Sequence, residues 1–454
     1  MRSSADAARA PARAGVVAGL IVAGFALTVW IFYPGVMNHD SRYVLGYVRD
    51  WTFGDWQSPV MTVLWALVDP LDPGPGSMFL LIASVYWLAF AILASTLARQ
   101  SLWRALVLIL LALSPPAFFF VGMIWRDVLL AALWLLAAAL VFAVAGRTAK
   151  VRVPVQAIAI ALLALGVLLR PNALLAAPIL ATFLLWPTRF SWKRAAIVFV
   201  PGAVACFVLV QVIYYGVLDA TRQHALHSVL VFDLGGITHF SKQNQFPGAW
   251  TPEETALITE RCYQPVEWNS YWAFEPCDFV MHRLEAARIF GTPELVAAWW
   301  RAVVNHPAAY LRHRAAFMWT FLAEPNQTIW TQDLEDSEKT VFPGRPAFAA
   351  VRAVNDVLIA TPVFRAGTWL LVCVVVGVAG WRRRDTAAGA FALGTCGSAA
   401  AYLLAFVAVG VASDFRYAYW AVLAGIAGAV VIWRENWPTQ AIRRHSLDAL
   451  RRPS

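Results

Sequence analysis

The residues best suited to chemistry lie in one polar stretch, 37–59, read M-N-H-D-S-R-Y-V-L-G-Y-V-R-D-W-T-F-G-D-W-Q-S-P. It gathers Asp40, Asp50 and Asp55 with His39, Arg42, Arg49 and Gln57 directly after a long apolar run. A carboxylate at an apolar boundary is tuned by partial burial towards general-base work. Asp40 is the first candidate for that role. Its pattern equally fits a helix N-cap ahead of Ser41-Arg42-Tyr43-Val44, and the two roles are compatible. Asp55 reads as a cap for a helix starting near Gln57 or as a further catalytic acid. Asp127, beside Arg126, reads as a cap or a local ion partner. Arg126, Arg170 and Arg416 stand at the ends of three apolar runs. Guanidinium forks there match phosphate oxygens, or snorkel to lipid headgroups. Together these groups offer a base and cations suited to a substrate that carries a phosphate.

The elements that must position them are membrane helices. Of 454 residues, 60% are hydrophobic and only 14% charged, and Trp numbers 22. Soluble domains carry about 25% charged residues, and Trp suits interfacial belts. Apolar runs near 14–36, 77–98, 104–121, 128–146, 153–169, 172–187, 195–217, 362–381, 387–411 and 415–433 predict about ten spans. The run from Ser58 to Val68 is shorter and reads as interfacial or re-entrant. If the N-terminus is cytoplasmic, the inside segments are 1–14, 99–104, 147–152, 188–194, 382–386 and 434–454. Each of them is net basic, as the positive-inside rule asks. The net charge of +9 is thereby accounted for by orientation, not by nucleic acid. All the candidate residues then fall on the opposite, outer side.

The expected organisation is an N-terminal membrane module over 1–217, with the catalytic first outer loop at 37–76. An inserted, mainly helical periplasmic domain over 218–361 follows. A C-terminal membrane module covers 362–433, and 434–454 is a basic cytoplasmic tail. Within 218–361, Pro293–Val304 and His306–Phe321 read as helices, and 240–278 as loop. Cys262 and Cys277 are the two cysteines outside apolar runs and form the plausible disulfide pair. His224 and His227 share a helical spacing, but no zinc motif is present. Asn326-Gln327-Thr328 fits a glycosylation sequon and reads as chance in a bacterial-looking chain. No phosphate-binding glycine loop points to a cytoplasmic nucleotide-sugar donor.

Four motifs carry a resemblance. Asp40 lies in Asn38-His39-Asp40-Ser41; Asp55-Trp56-Gln57-Ser58-Pro59 is D-W-H-P-P-like; Ser114-Pro115-Pro116 precedes Trp125-Arg126-Asp127; and Asp414-Phe415-Arg416-Tyr417 opens the last run. In type, order and sidedness the chain resembles the GT-C superfamily of polytopic glycosyltransferases, near the protein mannosyltransferases and aminoarabinose transferases. The match covers most of the chain except 218–361, and Gln57 and Ser58 depart from the usual His and first Pro.

The resemblance implies an all-α, multi-pass protein of a bacterial cytoplasmic membrane, both termini inside and the active site facing outward. It implies transfer of a sugar from a polyprenyl-phosphate donor to a lipid, glycan or protein acceptor. Asp40 would be the general base, with Asp127 and Asp55 as further acids. His39, Arg42, Gln57, Arg126, Arg170, Asn172, Arg416 and Tyr417 would bind substrate. No cofactor is certain; some relatives use a divalent metal, so a metal at Asp40 stays open. A ligase or polymerase moving whole lipid-linked glycans, a transporter of lipid-linked sugars, and an assembly scaffold are the competing readings. The missing inverted repeat and lack of paired broken helices weigh against the transporter.

Overall fold

The computed structural model describes residues 4–325 and 345–433. The sequon at Asn326 and the basic tail 434–454 lie outside the described residues. Among the described residues the chain is helical, with three isolated backbone bridges and no strand. Its first half runs α1 (Ser4–Phe32), α2 (His39–Asp50), α3 (Pro59–Val68), α4 (Pro75–Ala98), α5 (Leu102–Ala112) and α6 (Pro115–Val121). It continues through α7 (Arg126–Val144), α8 (Ala149–Leu169), α9 (Ala177–Leu185) and α10 (Trp192–Gln211). The 218–361 segment supplies α11 (His227–Ser241), α12 (Pro252–Glu260), α13 (Phe279–Ala286), α14 (Pro293–Asn305), α15 (Pro307–Ala323) and α16 (Pro346–Leu358). The chain closes with α17 (Ala366–Trp381), α18 (Ala387–Val409) and α19 (Tyr419–Ile432).

All ten predicted apolar runs are helical. Seven are long and apolar enough to cross a membrane, and α5 with α6, bent by 60°, would make an eighth. The bend falls at Ser114-Pro115-Pro116, where proline removes backbone donors. The run at 172–187 is likewise divided, into a 3-10 turn, Pro171–Leu175, and the nine-residue α9 with Pro178 in its first turn. At 16 residues α17 is about 24 Å long, against a hydrocarbon core of about 30 Å. The chain is thus a multi-pass, all-α membrane protein.

Burial sorts these helices. Residues of Phe415–Ile432 and Arg126–Val144 are 89% and 78% buried, so they form the centre. Trp192–Val217 is 6% buried and turns Ile197, Val200 and Phe207 outward, as a lipid-facing rim does. Lipid tails supply no hydrophobic drive between helices, so close backbone approach carries the packing. At Gly166 of α8 an added Cβ would lie 2.2 Å from the indole nitrogen of Trp134 on α7.

Short backbone bridges stitch the loops at one end of the bundle. Val36 N–H donates to Gly122 O (2.8 Å), and Ile124 N–H to Val36 O (3.0 Å). Asp55 N–H donates to Thr221 O, and Thr221 N–H to Phe53 O. Trp268 N–H reaches Val411 O (2.9 Å), and Ser413 N–H reaches Val266 O (2.8 Å). The 37–59 stretch, the start of α7, the 218–361 segment and the turn before α19 are thereby held together.

The 240–278 stretch differs from its loop-like expectation. Thr251 and Glu254 close a capping box at the start of α12, and Trp268–Tyr271 forms a 3-10 turn. The T-P-E-E sequence there is a helix-start signal that the surrounding Pro, Gly and Trp obscured. Cys262 and Cys277 are bonded to each other across this stretch.

Candidate active site

The N-cap of α2 is Asn38, not Asp40. Its side chain accepts from Ser41 N–H, and Ser41 Oγ accepts from Asn38 N–H, a reciprocal box. Asp40 therefore sits in the first helical turn with its carboxylate free of backbone duty. Oδ1 accepts from Gln57 Nε2 (2.8 Å), and Oδ2 accepts from Arg416 Nη1 (2.8 Å). Its side chain stays 30% exposed, so the pair is not sealed. Burial alone would raise its pKa. Arg416, Arg126 and Arg170 overcome that and hold it at about 2.

Arg416 is the hub of the cluster. Its Nε lies 3.1 Å from Asp414 Oδ2, and Nη2 donates to Tyr417 Oη (3.3 Å). Its guanidinium packs 5.0 Å from the ring of Trp125 and 5.2 Å from that of Tyr417. Asp414 in turn accepts from Arg416 N–H, and burial raises its pKa despite the arginine. Trp125, Arg126, Asp414 and Arg416 thus come from two distant turns held against α2.

Arg170, at the end of α8, stacks over Tyr417 (4.7 Å), and its Nε lies 2.6 Å from Asp127 Oδ1. Asp127 is 5% exposed and is occupied as the anchor of Arg170. Arg126 Nη1 donates to Trp56 O (3.2 Å), tying the start of α7 to the Asp55–Pro59 motif. Asn172 Oδ1 is buried with no hydrogen-bond partner. His39 is exposed with its ring 4.9 Å from that of Tyr43, and Arg42 is half-buried on the same helix.

Asp55 caps no helix. Ser58 is the N-cap of α3, accepting from Met61 N–H while its hydroxyl donates to Leu168 O. Asp55 instead accepts from Tyr215 Oη (2.8 Å) and Gln223 N–H (2.7 Å), so its two oxygens latch the first loop to the end of the 195–217 run and to the start of the 218–361 segment. Gln57 takes the position of the expected His and serves as a donor to Asp40.

Several partners had no sequence signal. Tyr215 and Gln223 sit in unremarkable contexts. Trp268 lies 5.7 Å from Trp56, ring to ring, and its neighbour Glu267 has its pKa raised by burial and by Asp414. Both reach the site through the bridge to Val411–Ser413. His224 and His227 lie 5.5 Å apart, ring to ring, with His227 Nδ1 accepting from Gly291 N–H. His227 borders a separate concavity of about 500 Å³ that shares no lining residue with the Asp40 cluster.

No family model matches the chain, and no curated protein matches it. Among solved structures it is similar to the Archaeoglobus fulgidus oligosaccharyltransferase complexed with Zn and sulfate. That likeness has a TM-score of 0.39 at 14% identity, over 95% of this chain and 50% of that one. The chain spans about half the length of that structure.

Among the described residues no group of three or more His, Cys, Asp or Glu is placed to hold an ion. Asp40 spends both oxygens on Gln57 and Arg416, and three arginines contribute to its local field. These residues do not fit a cation, and no step is derived through one. What they do fit is an anion lying against the arginines, next to a carboxylate.

Proposed function

We propose that this protein is a membrane glycosyltransferase using a polyprenyl-phosphate-linked sugar on the outer face of a bacterial cytoplasmic membrane. The observation that carries the reading is Asp40 bonded to Arg416, with Arg126 and Arg170 close enough to act on the same carboxylate. Motifs of the GT-C resemblance supply Asp40, Arg126 and Arg416; Arg170 lies outside them.

In this reading the donor phosphate lies against Arg416, with Arg126 and Arg170 beside it. The acceptor hydroxyl gives its proton to a carboxylate oxygen of Asp40. The acceptor oxygen forms the new bond to the anomeric carbon. The bond from that carbon to the phosphate oxygen breaks, and its electron pair leaves with the phosphate. Arginine forks stabilise this developing charge without reorganisation. Asp127 keeps Arg170 aimed; Asp414 and the rings of Trp125 and Tyr417 keep Arg416 aimed. Asp55 latches the loop instead of reacting. The 218–361 segment, stapled at Cys262–Cys277, covers the site and selects the acceptor, with Trp56 and Trp268 offering a face to a sugar ring.

The test compares the cell-surface glycans and glycolipids of the parent organism with those of a strain whose sole copy carries Asp40→Asn. Loss of one sugar, with accumulation of its polyprenyl-phosphate donor, is expected. An unchanged profile, with the variant at normal level in the membrane, sinks the reading.

A further inference from the structure

We propose that donor phosphate and Asp40 compete for Arg416, so that donor binding releases the base and must precede productive use of the acceptor. This rests on the transferase reading and concerns how the same site is regulated.

Both oxygens of Asp40 accept hydrogen bonds, Oδ1 from Gln57 Nε2 and Oδ2 from Arg416 Nη1, each at 2.8 Å. A carboxylate so paired keeps lone pairs that can meet a hydroxyl, but its charge is engaged by the guanidinium, which weakens it as a base. Arg416 is also the group best placed to meet a phosphate. It does not need Asp40 to hold its position. Asp414 lies against its Nε edge, Tyr417 Oη accepts from Nη2, and the rings of Trp125 and Tyr417 flank its plane. The Nη1 edge is therefore the exchangeable one, and a planar fork presents it to one oxyanion at a time.

The neighbours reinforce the exchange. Arg126 and Arg170 act on Asp40 through space, and Arg126 donates to the neutral carbonyl of Trp56. A phosphate against these cations offsets part of the positive field that weakens Asp40 as a base. The carboxylate then gains basicity when the donor is in place. A water or hydroxyl that arrives earlier meets a base still tied to its arginine. By linkage, whatever Asp40 loses on donor binding must appear as weakened donor affinity.

The experiment measures binding of undecaprenyl phosphate, in detergent micelles, to the full-length protein and to Asp40→Asn, Arg416→Gln and the double variant. Competition predicts that Asp40→Asn binds about tenfold tighter than wild type. It also predicts that most of this gain disappears when Arg416 is already Gln. No gain in Asp40→Asn, or an equal gain in both backgrounds, overturns the competition while leaving the transferase reading intact. No binding by wild type overturns both. A readout independent of the Arg416 variants is the infrared difference spectrum on adding the same probe. A carboxylate band should shift in wild type and be absent from Asp40→Asn. A spectrum identical in both proteins overturns the proposal.

Discussion

Two aspartate–arginine pairs in this protein look alike in sequence and differ in setting. Asp40 and Arg416 lie 2.8 Å apart with side chains 30% and 16% exposed. Asp233 Oδ1 and Arg314 Nε, in the 218–361 segment, lie 2.7 Å apart with side chains 1% and 4% exposed. The sealed pair is packed on every side. Asp233 Oδ2 accepts from Trp299 Nε1 (2.7 Å), His313 Nε2 lies 3.1 Å from Oδ1, and Arg314 Nη1 donates to Gly410 O (2.8 Å). It ties α11, α14 and α15 to the end of α18, just ahead of the Asp414–Tyr417 turn. A sealed pair has no exchange partner and serves as a strut. An open pair can trade one anion for another, which is what a phosphate-handling site needs.

The comparison is broken most strongly by exchanging the outcomes of two substitutions. Asp40→Asn should lower transfer by about 10²–10⁴-fold while leaving the melting temperature of the detergent-solubilised protein unchanged or slightly raised. Arg314→Met should do the reverse in kind, because it strands a buried carboxylate at a cost of about 3–5 kcal/mol. Thermal melts should show that loss, and Asp233→Leu combined with Arg314→Met should recover most of it. A single Arg314→Met variant as stable as wild type would end the distinction between strut and exchange site.

A smaller effect sharpens the open pair. With Asp40 near 2 in the free protein, held there by Arg416, Arg126 and Arg170 against burial, it remains ionised through mild acid. Asp414 and Asp127 stand behind those arginines. Once phosphate offsets the arginines, its pKa rises. The acid limb of kcat should therefore lie at higher pH than the acid limb of kcat/KM for the donor. Superimposed limbs in a steady-state pH profile would argue that the donor leaves the pair intact.

The smallest effects concern the latch and the sealed pair's histidine. Asp55→Asn keeps the shape but loses the charge on Tyr215 and Gln223, so it should cost about 1–2 kcal/mol, with activity only modestly reduced in the same assay. His313 has its pKa lowered from 6.5 by burial, which outweighs the help from Asp233. The sign follows: its contribution is complete above pH 6.5 and declines as the pH falls towards the folded value. The decline is at most about 1.4 kcal/mol per pH unit. Melts of wild type and His313→Gln between pH 5 and 8 should diverge only on the acid side.

Much of the site was legible, though often with the wrong local duty attached. Asp40 and Asp55 each fitted a cap by residue type, yet Asn38 and Ser58 took those positions two and three residues away. Asn, Asp and Ser are nearly equivalent caps, so type alone could not choose among neighbours in N-H-D-S or D-W-Q-S. Glu267, Trp268 and Gln223 left no trace, because their approach depends on backbone bridges between distant segments. The sealed Asp233–Arg314 pair was equally invisible: an acid and a base on two helices have no periodicity that links them.

The sequence by itself determined that the chain lives in a membrane and where its apolar runs begin and end. These are local properties: hydrophobic length is set within each run. Only the tertiary structure decided which acid meets which arginine. Asp40 and Arg416 are 376 residues apart, and their pairing depends on how α2, α7, α8 and α19 pack at one end of the bundle. Charge pairing over such a separation follows from helix packing and burial, and neither is written in the spacing of residues along the chain.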